Sequence, residues 1–129
     1  MKLLLVLILL SLGACSKNNL KLAPSLVGKT LKGTITSGTD AFSGLEGYQF
    51  STQFLSENQF ESKNATGILE SIGQYSLHQN RLILQSSGAL HPRESLEVIL
   101  KFTDTKSGVY EAHYLSGPSG EQTGIFTLQ

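Results

Sequence analysis

The segment Leu96-Glu97-Val98-Ile99-Leu100-Lys101-Phe102 repeats with a period of two. Leu96, Val98, Leu100 and Phe102 fall on one parity, and Glu97, Ile99 and Lys101 on the other. A helix would space its apolar residues three or four apart, so this run reads as a half-buried strand. Tyr48 to Leu55 follows the same rule, with Tyr48, Phe50, Thr52 and Phe54 on one face and Gln49, Ser51 and Gln53 on the other. Shorter runs agree: Leu31/Gly33/Ile35, Tyr75/Leu77, Leu82/Leu84, Tyr110/Ala112/Tyr114 and Phe126/Leu128. Only Ala65 to Ser71 suits a single helical turn, and no amphipathic helix of normal length is written anywhere.

Between the runs stand residues that favour turns. Ser56-Glu57-Asn58, Gln79-Asn80 and Ser116-Gly117-Pro118-Ser119-Gly120 each separate two strand-like segments. Asp104-Thr105-Lys106-Ser107-Gly108 has aspartate early and glycine late, which predicts a type I turn closed by a glycine bulge. Longer connections are expected at Ser37 to Gly47, Asn64 to Ser71 and Ser86 to Arg93. The count is about eight strands at roughly ten-residue spacing, an all-β pattern. Tight hairpins favour a single small antiparallel meander that closes into a barrel, with a β-sandwich as the alternative.

The first residues obey a different logic. Met1-Lys2 precedes an unbroken aliphatic run from Leu3 to Leu10. At roughly ten residues this run is half the length needed to span a bilayer, and it has the proportions of a signal-peptide core. Leu12-Gly13-Ala14-Cys15 follows and resembles the lipobox of bacterial lipoproteins, an aliphatic residue and two small ones before a cysteine. The resemblance implies cleavage after Ala14 and a diacylglycerol thioether on Cys15. With a further acyl chain on the new amino group, the anchor would be stable on a membrane without any spanning helix. In such lipoproteins, serine rather than aspartate after the cysteine, here Ser16, implies sorting to a Gram-negative outer membrane. The expected organisation is therefore a signal peptide over 1–14, a lipid-anchored cysteine and polar tether over 15–25, and a β domain over 26–129.

Composition narrows the function classes. Cys15 is the single cysteine, so an exported domain has no disulfide and must fold on its hydrophobic core alone. Losing Lys2 with the signal leaves nine basic residues against ten acidic, scattered singly. No basic stripe is available to neutralise phosphates, which argues against a nucleic-acid partner.

A second resemblance concerns the mature domain. Ser25-Leu26-Val27-Gly28-Lys29-Thr30-Leu31 looks like the first strand of lipocalins and related calycins, although Thr30 stands where that family has tryptophan and the chain contains none. Gly73-Gln74-Tyr75-Ser76-Leu77 with Arg81-Leu82-Ile83-Leu84, and the closing Gly124-Ile125-Phe126-Thr127-Leu128, look like lipocalin-type strands too. The resemblance implies an eight-stranded barrel whose interior is both core and pocket. Tyr48, Phe50, Phe54, Tyr75, Tyr110 and Tyr114 are then the candidate ligand-binding residues on the inner face.

Catalytic patterns are thin. His78, His91 and His113 are scattered without zinc-ligand spacing, and no metal or cofactor is expected. Glu111 and His113, two apart on one strand, share an outward face. Gly117-Pro118-Ser119-Gly120 lacks the spacing of a nucleophile elbow and reads as a turn. Ten acidic residues are present, and sequence spacing selects no pair. Thr105 to Tyr110, with Ser107-Gly108-Val109-Tyr110, resembles the inhibitory loop of periplasmic C-type lysozyme inhibitors, shortened by one residue. The expectation is a non-enzymatic envelope lipoprotein binding a small apolar or amphipathic ligand. The alternative is a lipoprotein that binds an envelope protein or inhibits a hydrolase.

Overall fold

Eight strands follow one another around a closed antiparallel barrel in the computed structural model, which describes residues 20–89 and 91–129. They are β1 (Thr30–Gly38), β2 (Gln49–Phe54), β3 (Gln59–Asn64), β4 (Leu69–His78), β5 (Arg81–Gly88), β6 (Ser95–Phe102), β7 (Ser107–Ser116) and β8 (Glu121–Leu128). Each pairs with the next, and β8 returns to pair with β1 from Leu31↔Leu128 to Gly38↔Gln122. The up-and-down barrel is thus the architecture, and closure gives every strand two neighbours. The signal segment and Cys15 lie outside the described residues.

Period two decides which residues meet inside. At one end Leu31, Phe54, Leu82, Leu100, Phe102 and Phe126 are each at most 2% exposed and fill the barrel completely. Phe54 meets Tyr75 edge to face at 4.7 Å, and Phe102 meets Phe126 at 5.0 Å. Three short turns close this end, between β2 and β3, β4 and β5, and β6 and β7. The segment entering β1 seals it. Leu26 is buried in the same core, Leu22 packs against it, and Gly28 N–H donates to the Phe54 carbonyl at 3.0 Å. Residues 20–25 of the expected tether therefore run along the closed end, where the Ser25 hydroxyl donates to Glu57.

The opposite end is built differently. Its longest connection, between β1 and β2, folds back over the rim as a 3-10 turn, Asp40–Phe42. Register shifts leave one extra residue on β1 (Thr36), on β4 (Glu70) and on β7 (Leu115). All three extras lie within two residues of a strand end at this rim; bulges of this kind bend strands and increase twist.

Some expectations change in detail. Ala65 to Ser71 holds no helical turn. The Asn64 side-chain oxygen accepts from Thr66 N–H, the Thr66 hydroxyl and Ile68 N–H, which forms a tight turn and lets β4 begin at Leu69. Likewise β5 runs to Gly88, so the third long connection is shorter than expected. Gly108 is not a turn glycine but an inward position of β7, paired with Phe102 and Phe126. The Asp104 carboxylate makes the turn instead, accepting from Lys106 N–H at 2.8 Å and from the Ser107 hydroxyl at 2.7 Å.

Outward positions carry exposed Lys32, Gln53, Gln74, Gln85, Lys101 and Glu111 together with exposed Ile72, Val109 and Ile125. Among the described residues no helix is long and apolar enough to cross a membrane.

Candidate functional site

An eight-stranded barrel is just wide enough to be filled by side chains or to hold one small ligand. This one is filled by side chains in one half and open in the other. Above the packed base the interior opens into a cavity of about 450 Å³. Its walls are mainly apolar, with Ile35, Phe50, Phe60, Leu84, Leu96 and Val98 among them.

The floor depends on two glycines. Phe50 on β2 and Tyr110 on β7 approach edge to face with centroids 5.6 Å apart, although β1 and β8 lie between their strands. The strand positions between them are Gly33, paired with Phe50, and Gly124, paired with Tyr110. A Cβ on Gly33 would stand 2.2 Å from the Phe50 ring, and one on Gly124 2.3 Å from the Tyr110 ring. The absence of side chains on β1 and β8 therefore lets two rings tile the cavity base.

Four polar residues are buried in this interior: Thr52, Ser62, Ser86 and Gln122. The hydroxyls of Thr52 and Ser62 hydrogen-bond each other, and the Tyr110 hydroxyl donates to the Gln122 side-chain oxygen at 3.0 Å. Burial pushes the Tyr110 phenol well above its ordinary range, so it stays a donor. Ser86, 6% exposed, and Gln122, 8% exposed, both line the cavity. Among the described residues no protein group bonds to the Ser86 hydroxyl or the Gln122 amide nitrogen. Among the described residues no fully buried side-chain nitrogen or oxygen lacks a hydrogen-bond partner, so these two atoms open onto the cavity space rather than being sealed in the wall.

The mouth carries the charge. Glu70 is the extra residue of the β4 bulge, between Leu69 and Ser71, which pair with Lys63 and Ser62 respectively. It lines the cavity, and the Tyr48 hydroxyl donates to it. Burial, reinforced by that bond and by the carboxylate charge, pushes the Tyr48 phenol up to about 12. Glu94, in the connection between β5 and β6, also lines the mouth and stands beside Tyr114. Tyr114 stacks face to face on Phe42 of the 3-10 turn, with centroids 5.0 Å apart and planes at 8°. His91 completes the rim.

The six aromatic candidates divide by depth. Tyr48, Phe50, Tyr110 and Tyr114 line the cavity, whereas Phe54 and Tyr75 belong to the packed base, where the Tyr75 hydroxyl donates to the Ser56 carbonyl at 2.6 Å. Glu70, Glu94, Phe42, Ser86 and Gln122 carry no sequence signal of the kind that flagged the aromatics. Gln122 and Ser86 do fall on the inward parity of their strands. A polar residue there is the available hint.

Other patterns resolve structurally. His113 pairs across the outer face with Glu97 at 3.7 Å rather than with Glu111. Among the described residues no three His, Cys, Asp or Glu side chains gather as a metal site. Thr105 and Lys106 lie in a tight turn, and Ser107 to Tyr110 is strand, with Tyr110 only 4% exposed. No protein-family model, curated protein or solved structure matches the chain.

Proposed function

We propose that the protein is a lipid-anchored, non-enzymatic envelope lipoprotein that carries or senses a small ligand, largely apolar, in the open half of its barrel. One observation carries this reading: a cavity of about 450 Å³ over a packed base, mainly apolar-walled, with a few polar side chains, Ser86 and Gln122 among them, on its wall. Concave, mainly apolar sites of roughly 300–1,000 Å³ with a few placed polar groups are what small-molecule binding uses. A binding role suits the interior better than a catalytic one. Thr52 is paired with Ser62 and Tyr110 with an amide, so neither hydroxyl has a base to activate it.

The anchor is Cys15, proposed from the lipobox, with Ser16 favouring an outer membrane. Leu22 packs at the closed end, and the seven residues from Cys15 to Leu22 span at most about 25 Å. The lipid would therefore hold the closed end toward the membrane and leave the mouth facing away.

Native mass spectrometry of protein isolated from an envelope, compared with the same sample denatured, tests the site. A stoichiometric adduct lost on denaturation is expected, and a clean unliganded mass at every preparation would count against a carrier. Cys15→Ala should abolish lipid labelling and leave the precursor uncleaved. A lipid-labelled variant would sink the anchor.

A further inference from the structure

The mouth has a sign. Two carboxylates, Glu70 and Glu94, line it beside His91, and no lysine or arginine is among the lining residues. Their backbones flank one strand end: Ala89 N–H donates to the Glu70 carbonyl at 2.8 Å, and Gly88 N–H donates to the Glu94 carbonyl at 3.0 Å. With β5 between them, the two chains lie about 10 Å apart, two strand spacings. Gly88, also lining the cavity, puts no side chain into that gap.

Glu70 faces inward because of the bulge. In regular register from Ser71, the residue before it would point outward, into water. The extra residue reverses this and sets a carboxylate beside Tyr48 at the rim, an arrangement bulges are known to produce next to binding sites. Phe42, Tyr48 and Tyr114 add aromatic rings around the same opening. Ring faces attract cations, as carboxylates do. Below them the wall is mainly apolar, with the Ser86 hydroxyl and the Gln122 amide opening onto the same space.

We propose that the ligand is an organic cation with an apolar body, its positive head held between Glu70 and Glu94 at the mouth and its body in the cavity beneath. This rests on the cavity being a ligand site, and it goes further by excluding fatty acids and other anionic amphiphiles as the preferred class. An anionic head would be repelled by both carboxylates and would meet no fixed positive charge.

The test uses the purified full chain and probes sharing one phenylbutyl body, ending in trimethylammonium, carboxylate or hydroxyl. Calorimetric titration at low salt should show the ammonium binding at least about tenfold tighter than the carboxylate, with the advantage shrinking as salt is added. Replacing both acids (Glu70→Gln with Glu94→Gln) should remove that advantage while leaving the neutral alcohol bound as before. Retained alcohol binding also certifies that the variant is folded. Should the double variant not fold, Glu94→Gln alone, in a connection rather than a strand, should cut the advantage at least about threefold. If the alcohol binds but the carboxylate matches or exceeds the ammonium, the cationic class is overturned and the cavity reading stands. If none of the probes binds, both fall.

Discussion

Phe102 and Phe126 meet edge to face directly over Gly108, the one residue paired with both of them. Their strands, β6 and β8, are not neighbours, and β7 passes between them. The rings touch only because β7 has no side chain there. A Cβ on Gly108 would lie 2.0 Å from the Lys101 carbonyl oxygen and 2.8 Å from the Phe126 ring. The first of these is backbone, which no rotamer change relieves. Gly108→Ala is therefore expected to cost at least about 2 kcal/mol, more than the fraction of a kcal/mol gained by stiffening the unfolded chain. Urea denaturation measures it, and an unchanged midpoint would mean that β6 and β7 have room to separate.

The two halves of the barrel should answer differently to the same truncation. Leu100, fully buried in the packed base, and Leu96, half-buried on the cavity wall, are both inward residues of β6. Removing the Leu100 side chain creates a new void and should cost about 3 kcal/mol. Removing that of Leu96 only enlarges a space already there, so less than about 1.5 kcal/mol is expected, mostly the transfer of the lost methyls. Equal losses in Leu100→Ala and Leu96→Ala, measured by chemical denaturation, would mean that the upper half is packed in solution.

This difference in depth explains what the sequence could reveal. Parity assigns a face, and it put Tyr48, Phe50, Tyr110 and Tyr114 inside together with Phe54 and Tyr75. It assigns no height along the barrel axis, because height follows from strand stagger, a property of pairing between distant segments. The aromatic stripe therefore could not be divided into base and wall from spacing alone. Glycines misled in a related way: Gly108 looked like a turn residue because a turn does precede it, while its reason for being glycine is the pair of rings above. Glu70 fell in the stretch read as a connection, Asn64 to Ser71, and the bulge there also breaks the parity by which a strand residue is assigned a face. Phe42 lay in a connection, where no periodicity speaks.

Alkaline pH should unfold the barrel through its tyrosines. Burial pushes all four, Tyr48, Tyr75, Tyr110 and Tyr114, above the ordinary phenol value, with nearby Glu70, Glu57 and Glu94 adding to it at Tyr48, Tyr75 and Tyr114. Raised values mean that the folded chain keeps its phenol protons after the unfolded chain has lost them. The stabilisation is complete below about pH 10 and falls as pH rises, through about 12 at Tyr48. Tyrosinate absorbance followed against circular dichroism should thus rise together with loss of structure. Ionisation of the four phenols near pH 10 in an intact barrel would contradict their burial.

Phe42 is expected to govern how fast a ligand leaves. Its ring, 6% exposed, stacks on Tyr114 at the mouth, and the chain around it is fastened to the opposite turn. Thr39 N–H donates to the Glu121 carbonyl at 2.9 Å, Ala41 N–H to the Ser119 carbonyl at 3.2 Å, and Glu121 N–H to the Thr39 hydroxyl at 3.1 Å. The 3-10 turn is thus a cover pinned on the β8 side, and its ring is the part that closes over the cavity. Phe42→Ala removes the ring and leaves those backbone bonds in place, so the fold should survive. Dissociation of the neutral phenylbutyl alcohol, read by stopped-flow, should accelerate about tenfold, with a smaller change in association, because truncations at a binding site act mainly on release. The alcohol carries no charge, so the result bears on the cover and not on Glu70 or Glu94. An unchanged release rate would place the exit somewhere other than beneath Phe42.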